Sequence, residues 1–318
     1  MPLLGSGDFI YEMSGEDWGD IPEGSTYKEA TSVAIDANDN IYVFNRGTNP
    51  MIVFNTEGKV QQTWGHGIFS SPHGVTAAPD GTIWCVDNAD HSVRQFTADG
   101  KLLQTMGTPG RRSTPMSGEP FSGPTHVAFD PRNGDFYIGD GYSNAVVHKY
   151  SPDGKLLFTW GESGTAEGQF NIVHYLAVDR DGWVYVADRE NHRIQVFSPE
   201  GKYETQWVNL SRAACIHLEY RGAQPLMYIG EYFCGIGNNR MGTNLGPRVT
   251  ISDLKGNVLA RLGEETYGDE PGRFYSPHGI AVDSKGDIYV AEVSWADYGS
   301  KMDPPQELRS MQKLVKQG

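Results

Sequence analysis

Apolar and polar residues alternate in short runs of four to six along nearly the whole chain, and the runs are rich in β-branched and aromatic side chains, which is the signature of strands with one buried face. One unit recurs, reading Val-Ala-x-Asp-x-x-Gly-x-Ile-Tyr-Val-x-Asp, then Val-x-x-Phe, then an acidic residue with Gly-Lys, then Trp-Gly. Each copy predicts four short strands, and copies begin near Ala30, Phe69, Phe121, Phe170, Ala213 and Phe274. Turn residues fall at the matching boundaries: Asp39-Asn40, Pro79-Asp80-Gly81, Asn133-Gly134, Asp181-Gly182 and Lys285-Gly286 in the first hairpin, and Asp99-Gly100, Asp153-Gly154 and Glu200-Gly201 among those of the last. Gly and Asn tolerate the positive φ that tight hairpins need.

A repeat of this length and strand count predicts an all-β chain, a six-bladed β-propeller formed by residues 1–318 as one domain. The sixth copy supplies a second strand at Asp287–Ala291 and a third at Met311–Val315, but no fourth. An unpaired edge invites aggregation, so Phe9–Met13 is expected to complete the last blade and close the ring. Two copies are stretched between their second and third strands, at Tyr232–Pro247 and Val293–Glu307, and Thr108–Pro120 joins the second copy to the third. Loops of this length in a compact domain are usually functional or disordered, and here they are expected to wall a pocket.

Composition narrows the class further. The chain has 26 basic against 40 acidic residues, a net charge of −14, and no basic block, which argues against a nucleic-acid partner. There is no run of about 18 apolar residues to span a membrane and no basic-apolar leader at the start, so a cytoplasmic location is expected. Of three cysteines, Cys85 reads as a core residue, and nothing in the sequence requires Cys215 and Cys234 to pair.

Candidate chemistry comes from three of the nine histidines. His73, His174 and His278 occupy the same point of the repeat, are 101 and 104 residues apart, and so fall only in alternate copies. The corresponding positions of the other copies hold Thr31, Thr125 and roughly Ala214, so the histidine is not a property of the repeat itself. In a six-fold ring, alternate blades lie at three-fold positions, and three imidazoles would converge to hold a metal with a position left open. Zn²⁺ suits such a set best, although imidazole also serves iron, cobalt or copper.

A second series ends the second strand of each copy: Asn45-Arg46, Asp87, Asp140-Gly141-Tyr142, Asp188-Arg189, Glu231 and Glu292. The acidic members read as hairpin anchors that accept backbone amides. Arg46 and Arg189 could clamp a carboxylate through two parallel hydrogen bonds, and Tyr142 could act as acid or base.

Phe44-Asn-Arg-Gly, Ser71-Pro-His-Gly-Val, Asp140-Gly-Tyr-Ser-Asn, Thr159-Trp-Gly-Glu, Gly168-Gln-Phe and Ala187-Asp-Arg-Glu-Asn-His-Arg-Ile-Gln-Val-Phe together resemble the NHL-repeat propellers of the peptidyl-α-hydroxyglycine α-amidating lyase family. The resemblance implies a six-bladed propeller with zinc on His73, His174 and His278, flanked by Arg46 and Tyr142, with Arg189 in a matching stretch. It has departures. Ser276 replaces a Met and Gly279 replaces an Asp of a calcium site, which weakens the case for structural Ca²⁺ on backbone carbonyls near Val33 and Val75. The family's disulfide positions hold Ser122, Ser143, Val186 and Val196. The implied protein is a stand-alone bacterial relative with no monooxygenase portion.

The expected activity is cleavage of the C–N bond of an N-acyl carbinolamine, an α-hydroxyglycine-like small molecule carrying a carboxylate, to an amide and a carbonyl product such as glyoxylate. A hydrolase or lactonase using metal-activated water in the same site is the first alternative. A non-catalytic NHL scaffold is the second.

Overall fold

The computed structural model describes residues 2–318 except 16, 17, 236, 237, 240, 241, 243, 264 and 265. It is nearly all β, with the blades of a six-bladed β-propeller. The described residues form two compact units, 65–213 and the combination of 1–64 with 214–318.

Residues 65–213 hold three blades. Their first strands are Pro72–Ala77, Pro124–Phe129 and Val173–Val178, and their second strands are Ile83–Asp87, Phe136–Asp140 and Val184–Asp188. The third strands, Ser92–Phe96, Val146–Tyr150 and Arg193–Phe197, and the fourth, Leu102–Met106, Leu156–Trp160 and Tyr203–Trp207, continue each antiparallel meander. The second strands are buried throughout and the fourth are mostly exposed or half-buried, so burial falls outward along each blade. Blade packs on blade through Trp84, Val93, Phe121, Phe136 and Ile138 in one cluster and Tyr137, Phe170, Leu176, Val184 and Phe197 in the next.

The other unit holds the first, fifth and sixth blades, whose first strands are Ala30–Ile35, Arg212–Glu219 and Pro277–Val282. Its core gathers Trp18, Val33, Ile41, Phe54, Tyr289 and Met311. In the last blade Met311–Lys316 follows Ile288–Glu292 and pairs antiparallel with Phe9–Met13, as the missing fourth strand required. Leu3–Ser6 adds a fifth strand beyond it, which the repeat did not foretell. Part of the insertion at Tyr232–Pro247 lies outside the described residues; the insertion at Val293–Glu307 carries a one-turn helix, Ser294–Asp297, and a 3₁₀ turn, Gly299–Lys301. Cys85, Cys215 and Cys234 are all free thiols. Among the described residues no helix is long and apolar enough to cross a membrane.

Five first strands share an irregularity. Register slips by one residue between Ala30 and Ser32, Pro72 and Gly74, Pro124 and His126, Val173 and Tyr175, and Pro277 and Gly279. The residues inside these bulges are Thr31, His73, Thr125, His174 and His278, so the position marked by the repeat is the one that leaves the ladder.

Two outcomes are expected. Removing residues 1–13 should leave Met311–Lys316 as an open edge and expose the site of Tyr11, which is fully buried with its hydroxyl 3.3 Å from that of Tyr228. Light scattering should show aggregation, and Tyr11→Ala alone should cost about 3–5 kcal/mol in denaturant unfolding, the usual loss for a buried aromatic. The second concerns His126, stacked on Tyr175 with centroids 3.5 Å apart and lowered by burial to about 3. Its folded value lies below its unfolded one, so the unfolded chain takes up the extra proton and stability falls as pH drops from about 6.5 towards 3. Replacing His126 by Phe should reduce that slope by up to about 1.4 kcal/mol per pH unit.

Candidate metal centre

The bulges explain where the histidines point. A bulge residue is released from the alternation of its strand and its side chain is re-aimed. The ligand atoms of His73, His174 and His278 lie within 4.8 Å of one another, and all three residues are buried; among the described residues this is the one group able to hold a metal.

Two contacts fix the ring orientation. His73 Nδ1 lies 2.8 Å from the carbonyl of Thr125, and His278 Nδ1 lies 2.5 Å from that of Thr31. A carbonyl only accepts, so in both rings Nδ1 carries the proton and Nε2 presents a lone pair, the state in which imidazole binds a metal. Each of these carbonyls belongs to the bulge residue of a neighbouring blade. Close approach makes the second contact feasible: a Cβ at Gly279 would sit 2.6 Å from Ser32 Cα, so only glycine lets that strand come near enough. The same crowding leaves no room for an acidic side chain at 279, where the resemblance placed a calcium ligand.

Buried carboxylates hold the backbone just ahead of each histidine. Asp87 accepts the Ser70 and Ser71 amides at 2.5 and 3.0 Å, Asp188 that of Asn171 at 2.7 Å, and Glu292 those of Tyr275 and Ser276 at 2.5 and 3.1 Å. These are the acidic residues that close the second strands, and they anchor the fold as expected. Burial pushes the Asp188 and Glu292 carboxyls above the usual range. Arg193 on Asp188 at 2.7 Å and Gln312 on Glu292 at 2.6 Å oppose that shift.

Tyr142 meets the histidines of its own unit. Its hydroxyl lies 3.0 Å from His73 Nε2 and 3.2 Å from His174 Nε2. Gly141 brings it there: a Cβ at this position would be 2.1 Å from the Val173 carbonyl, directly before His174. Arg189 places its guanidinium carbon 5.7 Å from the centre of the Tyr142 ring, within cation–π range, and donates from Nε to Glu190 at 2.8 Å. Glu190 also holds Arg212 at 2.6 Å, and these two cations lower its carboxyl against the effect of burial. His73, His174, Tyr142 and Arg189 are thus assembled within residues 65–213. Arg46 belongs to the other unit, where its Nη1 bonds Glu29 Oε1 at 2.6 Å.

The donor set fits a divalent transition metal. The ligand atoms of three buried imidazoles lie close enough together for a single cation to bridge them. Three neutral nitrogens would leave the ion's double charge uncompensated and favour an anionic ligand. Sequence reading missed the carbonyls of Thr31 and Thr125, because a backbone acceptor has no side-chain signature, and it missed Glu29, which lies outside the recurring positions.

Residues 170–197 and 274–295 match the NHL repeat. NHL repeat-containing protein 3 of Homo sapiens is 31% identical over 278 residues, 82% of this chain and 76% of that protein. Peptidyl-alpha-hydroxyglycine alpha-amidating lyase 1 of Drosophila melanogaster is 33% identical over 261 residues, covering 74% of this chain and 45% of the fly protein. Among solved structures, a gluconolactonase from Xanthomonas campestris superposes with a TM-score of 0.61 at 12% identity, covering 97% of this chain and 90% of that one; at that identity the likeness is one of fold.

Elemental analysis of purified protein should give about one transition-metal ion per chain. His73→Ala, His174→Ala and His278→Ala should each weaken metal binding at least tenfold with circular dichroism unchanged, since bulge residues lie outside the ladders. Full metal content in the triple variant would disprove the assignment.

Proposed function

Since the chain belongs to the NHL-repeat β-propeller family of the peptidyl-α-hydroxyglycine α-amidating lyases and NHL repeat-containing protein 3, we propose that it is a metal-dependent lyase cleaving the C–N bond of an N-acyl carbinolamine that bears a carboxylate. The observation that carries this reading is the Tyr142 hydroxyl within hydrogen-bond reach of both His73 and His174. That hydroxyl is placed to exchange a proton with a group held against the histidines. His73, His174 and His278 would hold the metal, with Zn²⁺ the ion the ligand set suits best. A bound divalent metal supplies Lewis acidity, which makes a hydroxyl oxygen easier to deprotonate.

The chain's own residues account for the remaining requirements. Tyr142, acting as its phenolate, takes the proton from the substrate hydroxyl, and the oxygen's electrons form the new carbonyl. The C–N bonding pair leaves with nitrogen, which gains a proton and becomes the amide, so an N-acyl-α-hydroxyglycine yields an amide and glyoxylate. Arg46 and Arg189 supply guanidinium groups to orient the carboxylate, a task for which a planar fork is better suited than an ammonium. Arg189 beside the Tyr142 ring also sets positive charge near the phenol as it accepts and returns the proton.

Metal-loaded protein should release glyoxylate from N-benzoyl-α-hydroxyglycine. Tyr142→Phe should lower kcat by about a hundred- to ten-thousand-fold, the usual worth of a positioned general base, with little change in metal content. Arg46→Lys should raise KM as well as lower kcat. If loaded wild type releases no glyoxylate but cleaves simple esters or lactones, and does so equally well as Tyr142→Phe, metal-activated water is the nucleophile and the lyase reading fails. A chain that binds no metal and turns over neither substrate class is a scaffold.

A further inference from the structure

We propose that Glu29 is a positioning residue that sets the orientation of Arg46 and, through its second oxygen, docks the helical insertion Ser294–Asp297 beside it. The inference rests on the reading that Arg46 orients the substrate carboxylate. Glu29 is 1% exposed, and its two oxygens have different tasks. Oε1 accepts Arg46 Nη1 at 2.6 Å, and Oε2 accepts the backbone amide of Ala296 at 2.7 Å. The main chain repeats the first connection, with Arg46 N donating to Glu29 O at 3.0 Å. The preceding residue reinforces the second, because Lys28 Nζ lies 5.7 Å from the centre of the Trp295 ring.

The insertion is held equally firmly at its far side. Asp297 accepts the Ser276 hydroxyl at 2.8 Å, and Val293 N donates to Ser276 O at 3.2 Å. Ser276 stands two residues before His278. A continuous set of polar contacts therefore runs from Arg46 through Glu29, Ala296 and Asp297 to the backbone that carries a metal-ligating histidine. Asn45 stiffens the opposite end: its Nδ2 donates to Asn49 O at 2.8 Å and its Oδ1 accepts Gly47 N at 2.9 Å, holding the turn on which Arg46 sits.

The chemistry of the carboxylate suggests the decisive variant. Both partners of Glu29 are donors, and a carboxylate offers an acceptor to each, whereas an amide offers one acceptor and one donor. Glu29→Gln can thus satisfy Arg46 or Ala296 but not both, while keeping size and shape. Glu29→Asp keeps two acceptors on a shorter stem and should recover part of the loss.

The test uses zinc-loaded full-length protein and two probes, glyoxylate as the carboxylate and benzamide as the carboxylate-free control, with calorimetry as a readout independent of turnover. Glu29→Gln should bind glyoxylate at least tenfold more weakly than wild type and benzamide equally well, with zinc content unchanged. In turnover of N-benzoyl-α-hydroxyglycine it should raise KM at least tenfold while kcat changes less, and Glu29→Asp should fall between. Equal weakening of both probes would mean a general structural defect, and tighter glyoxylate binding would mean that Glu29 merely neutralises Arg46; either overturns the proposal, as does no change or a wild type that binds no glyoxylate. Glyoxylate binding that responds to Glu29→Gln in a protein with no lyase turnover would uphold the positioning role and reject the lyase reading.

Discussion

Everything at the candidate centre depends on one extra residue in the first strand of a blade. A regular antiparallel ladder would point each histidine above or below its sheet, among the side chains that pack blade on blade. The bulge takes that residue out of the alternation, and it leaves the residue's carbonyl to be used elsewhere. Thr125 and Thr31 have side chains with no evident ligand chemistry, yet their carbonyls accept the Nδ1 protons of His73 and His278. One irregularity thus supplies a ligand in some blades and the group that orients a ligand in others. For the pairs His73 with Thr125 and His278 with Thr31, the exchange of His for Thr between neighbouring copies is a division of labour between side chain and backbone.

The acidic residues that end the second strands belong to the same design. Asp87, Asp188 and Glu292 are fully buried, an expensive state for carboxylates unless hydrogen bonds replace their lost hydration. They obtain those bonds from the amides immediately ahead of the bulges. His73 and His278 are therefore held from two directions, by a carboxylate under the preceding backbone and by a carbonyl at the ring nitrogen, and His174 shares the first of these. Held this way, the imidazoles need little reorganisation on binding a metal, which is how second-sphere contacts raise affinity.

Much of this was readable from the chain because it is periodic. The repeat gave the position of each first strand within a few residues, Phe9–Met13 was identified by the strand the sixth copy lacked, and the three histidines stood out because they broke the repeat only in alternate copies. What is not periodic was hidden. Glu29 lies in a polar stretch before the first blade, and its partner Ala296 lies 267 residues away in an insertion with no counterpart in most copies. Its contact is to a backbone amide, which any residue at 296 would offer. Leu3–Ser6 was missed for a related reason: four residues with one buried side chain carry too little pattern to be recognised.

The distribution of charge finally bears on why a protein with an excess of acidic residues would accept an anion at its candidate centre. Net charge acts over a distance limited by the Debye length of about 8 Å at physiological salt, so exposed carboxylates farther than that from the centre contribute little. Three largely buried carboxylates are already engaged by guanidinium groups. Glu190 is bound by Arg189 and Arg212, Glu29 by Arg46, and Asp188 by Arg193. Pairing each carboxylate with a guanidinium cancels its field without discharging it, and the ligand set itself is neutral. A divalent ion there would be the dominant local charge, and the sign of the site would be set by the metal rather than by the surface. On the reading proposed above, an anionic substrate would gain its attraction only at the last few ångströms, where Arg46 and Arg189 would fix its orientation.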